Sequence, residues 1–252
     1  MTGGRNIAFA ALLCAPALPA AALTDNEAVI ATEAGKSTCA KVNWKDRGVA
    51  RSGYFKGMAV SYGRKVCELK TGGDTIAKAI AAPAANKDRD ALELYGRATG
   101  TDLERLRAAF ALAIGEGMRE SSGNTTDGRD VTVLNPTPAN AEAGLFQVSF
   151  DSLGGSPRLA ALYATYQAAP QTCLLELYME GAKDRRAPLV GTGDAAKFQR
   201  FTKECPAFAT DYAAIIFRTN RNHFGPIKKM KAELLPVCEA MLERVEQSVT
   251  CD

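Results

Sequence analysis

The chain has 252 residues, of which 46% are hydrophobic and 23% charged, and its 31 basic and 28 acidic side chains leave a formal charge of +3. So small an excess excludes the strong electrostatic steering by which nucleic acid is drawn in, although mild basicity suits an anionic polymer. After the N-terminal region no segment holds about 18 uncharged apolar residues, which excludes a stable membrane insertion.

Residues 1–22 carry one positive charge, Arg5, ahead of an apolar stretch over residues 7–18, and Ala20, Ala21 and Ala22 fit a small-residue cleavage pattern. This is the pattern of a secretory signal peptide, too short to span a bilayer. Leu13 precedes Cys14 where a lipoprotein signal wants a small residue, so Cys14 belongs to the apolar run. Cleavage after Ala22 leaves six of the seven cysteines. An even count in an exported chain favours disulfides, and the simplest pairing joins Cys39 to Cys67, Cys173 to Cys205 and Cys238 to Cys251. No metal site is expected: C-x-x-C is missing, and the single histidine, His223, has no cysteine at zinc-ligand spacing. No cofactor is expected either, since Gly191-Thr192-Gly193 lacks the lysine and preceding strand of a phosphate loop.

Helical periodicity dominates the rest of the chain. Tyr54, Met58, Tyr62, Val66 and Leu69 mark a helix that ends near Gly72-Gly73. The alanine-rich stretch over residues 77–85 predicts a short helix and a turn rather than a linker. Leu103, Leu106, Phe110, Ala113, Ile114 and Met118 give the apolar face of a helix over residues 101–119, with Asp102 and Glu104 in its first turn. Ser156-Pro157 reads as cap and first residue of a helix over 158–168. Further helices are expected over 171–180, 194–203, 207–220 and 232–248. The Gly-, Asn-, Asp- and Pro-rich loop over 121–143 has room for a short hairpin at most, and the fold class is mainly α. Residues 23–100 are read as an N-terminal helical region packing on the core, and residues 101–252 as the catalytic domain. Trp44, among Lys45, Asp46 and Arg47, reads as a half-buried anchor.

The chemistry begins at Glu120, which closes the 101–119 helix and opens the string Glu120-Ser121-Ser122-Gly123; Gly144-Leu145-Phe146-Gln147 comes further on. A carboxyl at a helix C-terminus faces the negative end of the dipole, and semi-burial also disfavours its charge. Both effects suit a group that must deliver a proton near neutral pH. A solvated glutamate at a helix end is the alternative reading.

Met118-Arg119-Glu120-Ser121-Ser122-Gly123, together with Ala143-Gly144-Leu145-Phe146-Gln147-Val148, resembles the soluble lytic transglycosylases and goose-type lysozymes of the lysozyme superfamily. Phe146 replaces the usual methionine, and the Ala-Tyr-Asn-Ala-Gly segment typical of transglycosylases has no counterpart. The resemblance implies a lysozyme-like helical domain with an N-terminal helical extension, stapled by disulfides. Glu120 would then be general acid/base, with Ser121, Gly144, Leu145, Phe146 and Gln147 lining the sugar groove on peptidoglycan glycan strands. Goose-type lysozymes hold water on aspartates near these motifs, which implies Asp130 and Asp151 as further catalytic candidates; Asp127 and Asp130 read equally as turn residues. An inverting hydrolase needs such a second carboxylate at a distance that admits water. Without one, resemblance to the transglycosylases implies an anhydro-sugar product. Tyr163, Tyr166, Tyr178 and Tyr212 lie on helical faces and read as core, but Tyr212 is a substrate candidate because helices after the second motif border the groove in this superfamily. His223, after an apolar helix, reads as packing or capping, with groove lining as its functional alternative. Two functions are expected: an exported, peptidoglycan-cleaving glycosidase, or a non-catalytic lysozyme-like domain that binds glycan or an unspecified protein partner.

Overall fold

The computed structural model describes residues 22–128, 134, 136–182 and 188–251. The expected signal segment other than Ala22, and the candidate Asp130, lie outside the described residues. α1 (Asp25–Lys36) opens on a capping box in which the Thr24 hydroxyl accepts the Glu27 N–H and the Glu27 carboxylate accepts the Thr24 N–H. A two-stranded antiparallel ribbon, β1 (Asn43–Trp44) and β2 (Gly48–Val49), turns through Asp46 and Gly48 at positive φ. α2 (Ser52–Thr71) stops at Gly72, and the short α3 (Ile76–Ala81) and α4 (Ala91–Leu94) lead to α5 (Asp102–Ser121). A second capping box, Thr101 with Glu104, starts α5. A 3₁₀ turn at Phe150–Gly155 precedes α6 (Pro157–Ala168), α7 (Leu175–Met179), α8 (Gly193–Glu204), α9 (Pro206–Thr219), α10 (Gly225–Lys228) and α11 (Pro236–Ser248). The chain is mainly α, as its periodicity predicts.

α2, α5 and α9 pack against one another at the centre; α1, α7 and α11 cover α2, while α3 and α11 cover α5 and α6 and α8 cover α9. One cluster of buried side chains runs from Ile30 to Val245, so α1 to α4 share the core of α5. Arg218 of α9 reaches the carboxylate of Asp90 at 2.8 Å, both side chains sealed from solvent. Asp90 also accepts the Leu92 and Glu93 N–H groups that start α4, and Arg218 donates to the Ala82 carbonyl. That pair is fully hydrogen-bonded, the condition under which a buried ion pair is tolerated.

Several expectations change. The helix over 171–180 shrinks to α7, because Leu174 turns to φ 59° and Cys173 is bonded across to the start of α9. The helix expected from 232 begins at Pro236, whose missing N–H and fixed φ suit the first helical position. Residues 231–235 lie along α5 instead, with the backbone of Glu233 against Gly115. Trp44 is buried rather than half-buried, at 2% exposure. Its ribbon escapes an alternation reading because each strand has only two residues.

The disulfides correct the expected pairing in two of three cases. Cys173–Cys205 is as expected, but Cys39 joins Cys238 and Cys67 joins Cys251. Packing explains the difference: α11 lies against α1, α2 and the 3₁₀ turn at Cys39–Lys41, so cysteines remote in sequence become neighbours. Among the described residues no helix is long and apolar enough to cross a membrane. Non-reducing peptide mapping is expected to recover Cys39–Cys238 and Cys67–Cys251, with no free thiol in the cleaved chain under denaturing conditions. Replacing Cys39 and Cys238 together by serine should cost about 2–5 kcal/mol in a denaturant titration.

Candidate functional site

α5 carries the candidate acid, and its small residues decide what can come near. A β-carbon on Gly115 would sit 2.3 Å from the Glu233 carbonyl oxygen, and one on Gly117 2.5 Å from the Tyr54 hydroxyl. Tyr54 donates to the Ile114 carbonyl at 2.7 Å, so it crosses α5 directly beneath the last turn. The helix ends as Ser122 and Gly123 take left-handed φ and return N–H groups to Met118 and Gly117. Glu120 thus stands in the final turn, half-buried, one residue inside the helix rather than just past it.

The two sequence motifs meet. Ser121 donates its hydroxyl to the Leu145 carbonyl at 2.9 Å and accepts the Asn124 N–H at 3.1 Å. The Ala143–Val148 bridge closes a tight loop over 144–147, in which Gln147 has φ 49° and its amide donates to the Gly144 carbonyl at 2.9 Å. Gly144 has φ 77°, and a β-carbon there would lie 2.8 Å from the Thr202 carbonyl, so glycine is required twice over. Its N–H donates to the Asp127 carbonyl. Leu145 and Phe146 are buried, and the Gln147 and Ser121 side chains are nearly so. These residues build the wall by holding each other, with little surface left for a ligand.

A second group comes together beyond the loop. The Ser149 hydroxyl donates to the Asp151 carboxylate at 2.5 Å, and Ser152 and Tyr212 share a hydrogen bond of 2.7 Å. Burial raises the Tyr212 phenol, the Ser152 bond opposes it, and the Asp151 charge adds to the rise. Burial lowers the His223 imidazole, against the same Asp151 charge. Asp151, Tyr212 and His223 are therefore neighbours. Tyr212 is sealed in an aromatic cluster with Phe198 and Phe208, and His223 sets its ring against Phe224. Asp151 is the exposed member of this group.

Glu116 is the residue that sequence reasoning missed. It lies one turn before Glu120 on the same helix face, is 0% exposed, and apart from the Glu120 carboxyl no described residue bonds to its carboxyl oxygens. Burial, then the adjoining Glu120 carboxyl to which it hydrogen-bonds, push Glu116 well above the usual glutamate range; Arg119 pulls weakly the other way. Two ionised carboxylates have no proton to place between them, so this contact exists only when one is protonated. Tyr54 and Tyr95 lie near it: burial, then Tyr178 and Glu116, raise the Tyr54 phenol, and burial, then Glu116, raise that of Tyr95. Arg119 itself reaches outward, donating to the carbonyls of Lys231 and Lys45. The signal was available: an acid that follows Leu112 and Ala113 at helical spacing, at the end of the apolar run over 108–115.

The arrangement is a carboxyl pair with one member sealed and one half-open. Such a pair titrates as a unit and retains a proton to a higher pH than either acid alone. Adjoining carboxyls lack the gap that an inverting glycosidase leaves for water, so Glu116 is not placed to activate water against Glu120. It can only store and return the proton. No group of described residues has the makings of a metal site.

Because Glu116 keeps its proton in the folded protein and loses it in the usual range when unfolded, the unfolded state binds fewer protons above that range. Stability therefore falls as pH rises through the window. A Glu116→Gln variant is expected to match the wild-type Tm near about pH 4 and to exceed it above about pH 7. A difference that does not vary with pH would show that Glu116 is not held protonated.

No protein-family model, curated protein or solved structure matches this chain, so the site alone speaks to its function.

Proposed function

We propose that the chain is an exported peptidoglycan-cleaving glycosidase of the lysozyme-superfamily kind, with Glu120 as its general acid/base. The observation that carries this reading is the Ser121–Leu145 hydrogen bond, which joins the turn after Glu120 to the 144–147 loop at its base. Export is supported by three disulfides and by the signal-like start of the chain.

In this mechanism Glu120 delivers its proton to the oxygen of the β-1,4 bond as that bond breaks, with Glu116 as the neighbouring proton store. The N-acetyl carbonyl oxygen of the same sugar bonds to C1 and carries the positive charge. The Glu120 carboxylate then takes the proton of the C6 hydroxyl while O6 displaces the acetamido oxygen, closing an anhydro ring. In the hydrolytic route water replaces O6, and Asp151, which has the exposure for it, is the proposed carboxylate to hold that water. A second reading, a non-catalytic exported scaffold, is favoured by the burial of Ser121, Leu145, Phe146 and Gln147, which leaves these side chains little surface for sugar.

One substitution separates the two. Glu120→Gln is expected to reduce release of soluble fragments from purified murein by on the order of 10²–10⁴-fold, with Tm nearly unchanged. Equal release by wild type and variant would leave only the scaffold. Mass spectrometry of the products then reads anhydro against reducing ends, which decides between the two routes.

A further inference from the structure

Two adjoining cavities lie along α8. One, of about 400 Å³, runs between α6 and α8 beneath the 188–193 segment; the other, of about 340 Å³, continues toward Leu175 and Thr126. Leu189, Arg200 and Glu204 border both, so the two meet along one line of α8. Each falls in the size range of small-molecule sites. Neither is lined by Glu120, Ser121 or the loop.

The walls are mixed, and their apolar part is held in place. Tyr163 and Phe201 stack edge to face at one end, and Leu175 closes the other, two residues after the Cys173–Cys205 bond. The rim is fixed by Gln199, 2% exposed, which accepts the Val190 N–H at 2.9 Å and donates to the carbonyls of Val190 and Pro138. A buried amide that ties three backbone groups makes the rim a preformed wall rather than a loose loop.

The charges at the seam are the informative part. Arg200 and Glu204 stand one helical turn apart, where an ion pair is within reach, yet they do not pair with each other or with any described residue. A guanidinium and a carboxylate one helical turn apart, bordering a cleft with an aromatic wall, complement a ligand that carries a carboxylate, an ammonium and an apolar body. We infer that this cleft binds a zwitterion with an apolar side chain: a free aromatic or aliphatic amino acid. Arg200 takes the carboxylate, Glu204 the ammonium, and the Tyr163–Phe201 wall the side chain. The inference does not depend on any activity of Glu120.

Calorimetric titration of the full cleaved chain with L-phenylalanine tests it, with 3-phenylpropionate and phenethylamine as probes that lack the ammonium and the carboxylate respectively. Phenylalanine is expected to bind, and each truncated probe to bind at least about tenfold more weakly, the scale of one lost charge-assisted hydrogen bond. R200Q and E204Q, both at exposed positions, should each weaken phenylalanine binding by a similar factor at unchanged Tm. E204Q should leave the affinity for 3-phenylpropionate alone, a selectivity that unfolding cannot imitate. No heat to about 10 mM phenylalanine, equal binding of all three probes, or binding untouched by both substitutions would overturn the assignment.

Discussion

The site depends on how closely other chain segments approach one helix. Along α5, alanine and glycine occupy most positions between Ala108 and Gly117, so neighbours touch its backbone rather than its side chains. The Glu233 backbone rests on Gly115, and Tyr54 reaches past Gly117 to the Ile114 carbonyl. Interiors packed at crystal density have no slack to absorb a methyl group at such points. A larger residue at either glycine would therefore displace a whole neighbouring segment, and with it the surroundings of Glu116.

That close packing also produces the electrostatics. Glu116 is sealed because the segments around it come near enough to exclude water. An isolated ionised carboxyl there would cost more than folding can absorb, so the group stays neutral. Its neutrality then makes the contact with Glu120 attractive instead of repulsive. Packing, protonation and the disposition of the outer carboxyl are one coupled arrangement. The 144–147 loop belongs to it through Ser121, and α8 through the contact of Gly144 with Thr202.

Legibility in the sequence tracked the range of the interaction. The 3.6-residue periodicity located α2, α5 and α9 to within about two residues, and Ser156-Pro157 marked the start of α6, because those signals are local. Where a contact remote in sequence decides the outcome, the reading failed: Leu174 breaks α7 under the pull of the Cys173 bond, residues 231–235 lie outside any helix against α5, and two cysteine pairs span most of the chain. At the site, Glu120 and the 144–147 segment stood out as strings of residue types. Glu116 did not, although an acid within an apolar stripe is itself a sign of a special environment. The proximity of Asp151 to Tyr212 and His223 had no local signal, since it joins a 3₁₀ turn to the middle of α9 and to the segment after it.

The cysteine connectivity turns the polypeptide into closed rings. Cys39–Cys238 and Cys67–Cys251 each tether an early segment to the final helix, so any cut between residues 68 and 237 leaves both pieces covalently joined. A single proteolytic nick in a surface segment there would not release a fragment, because sulfur would hold the severed halves near their native places.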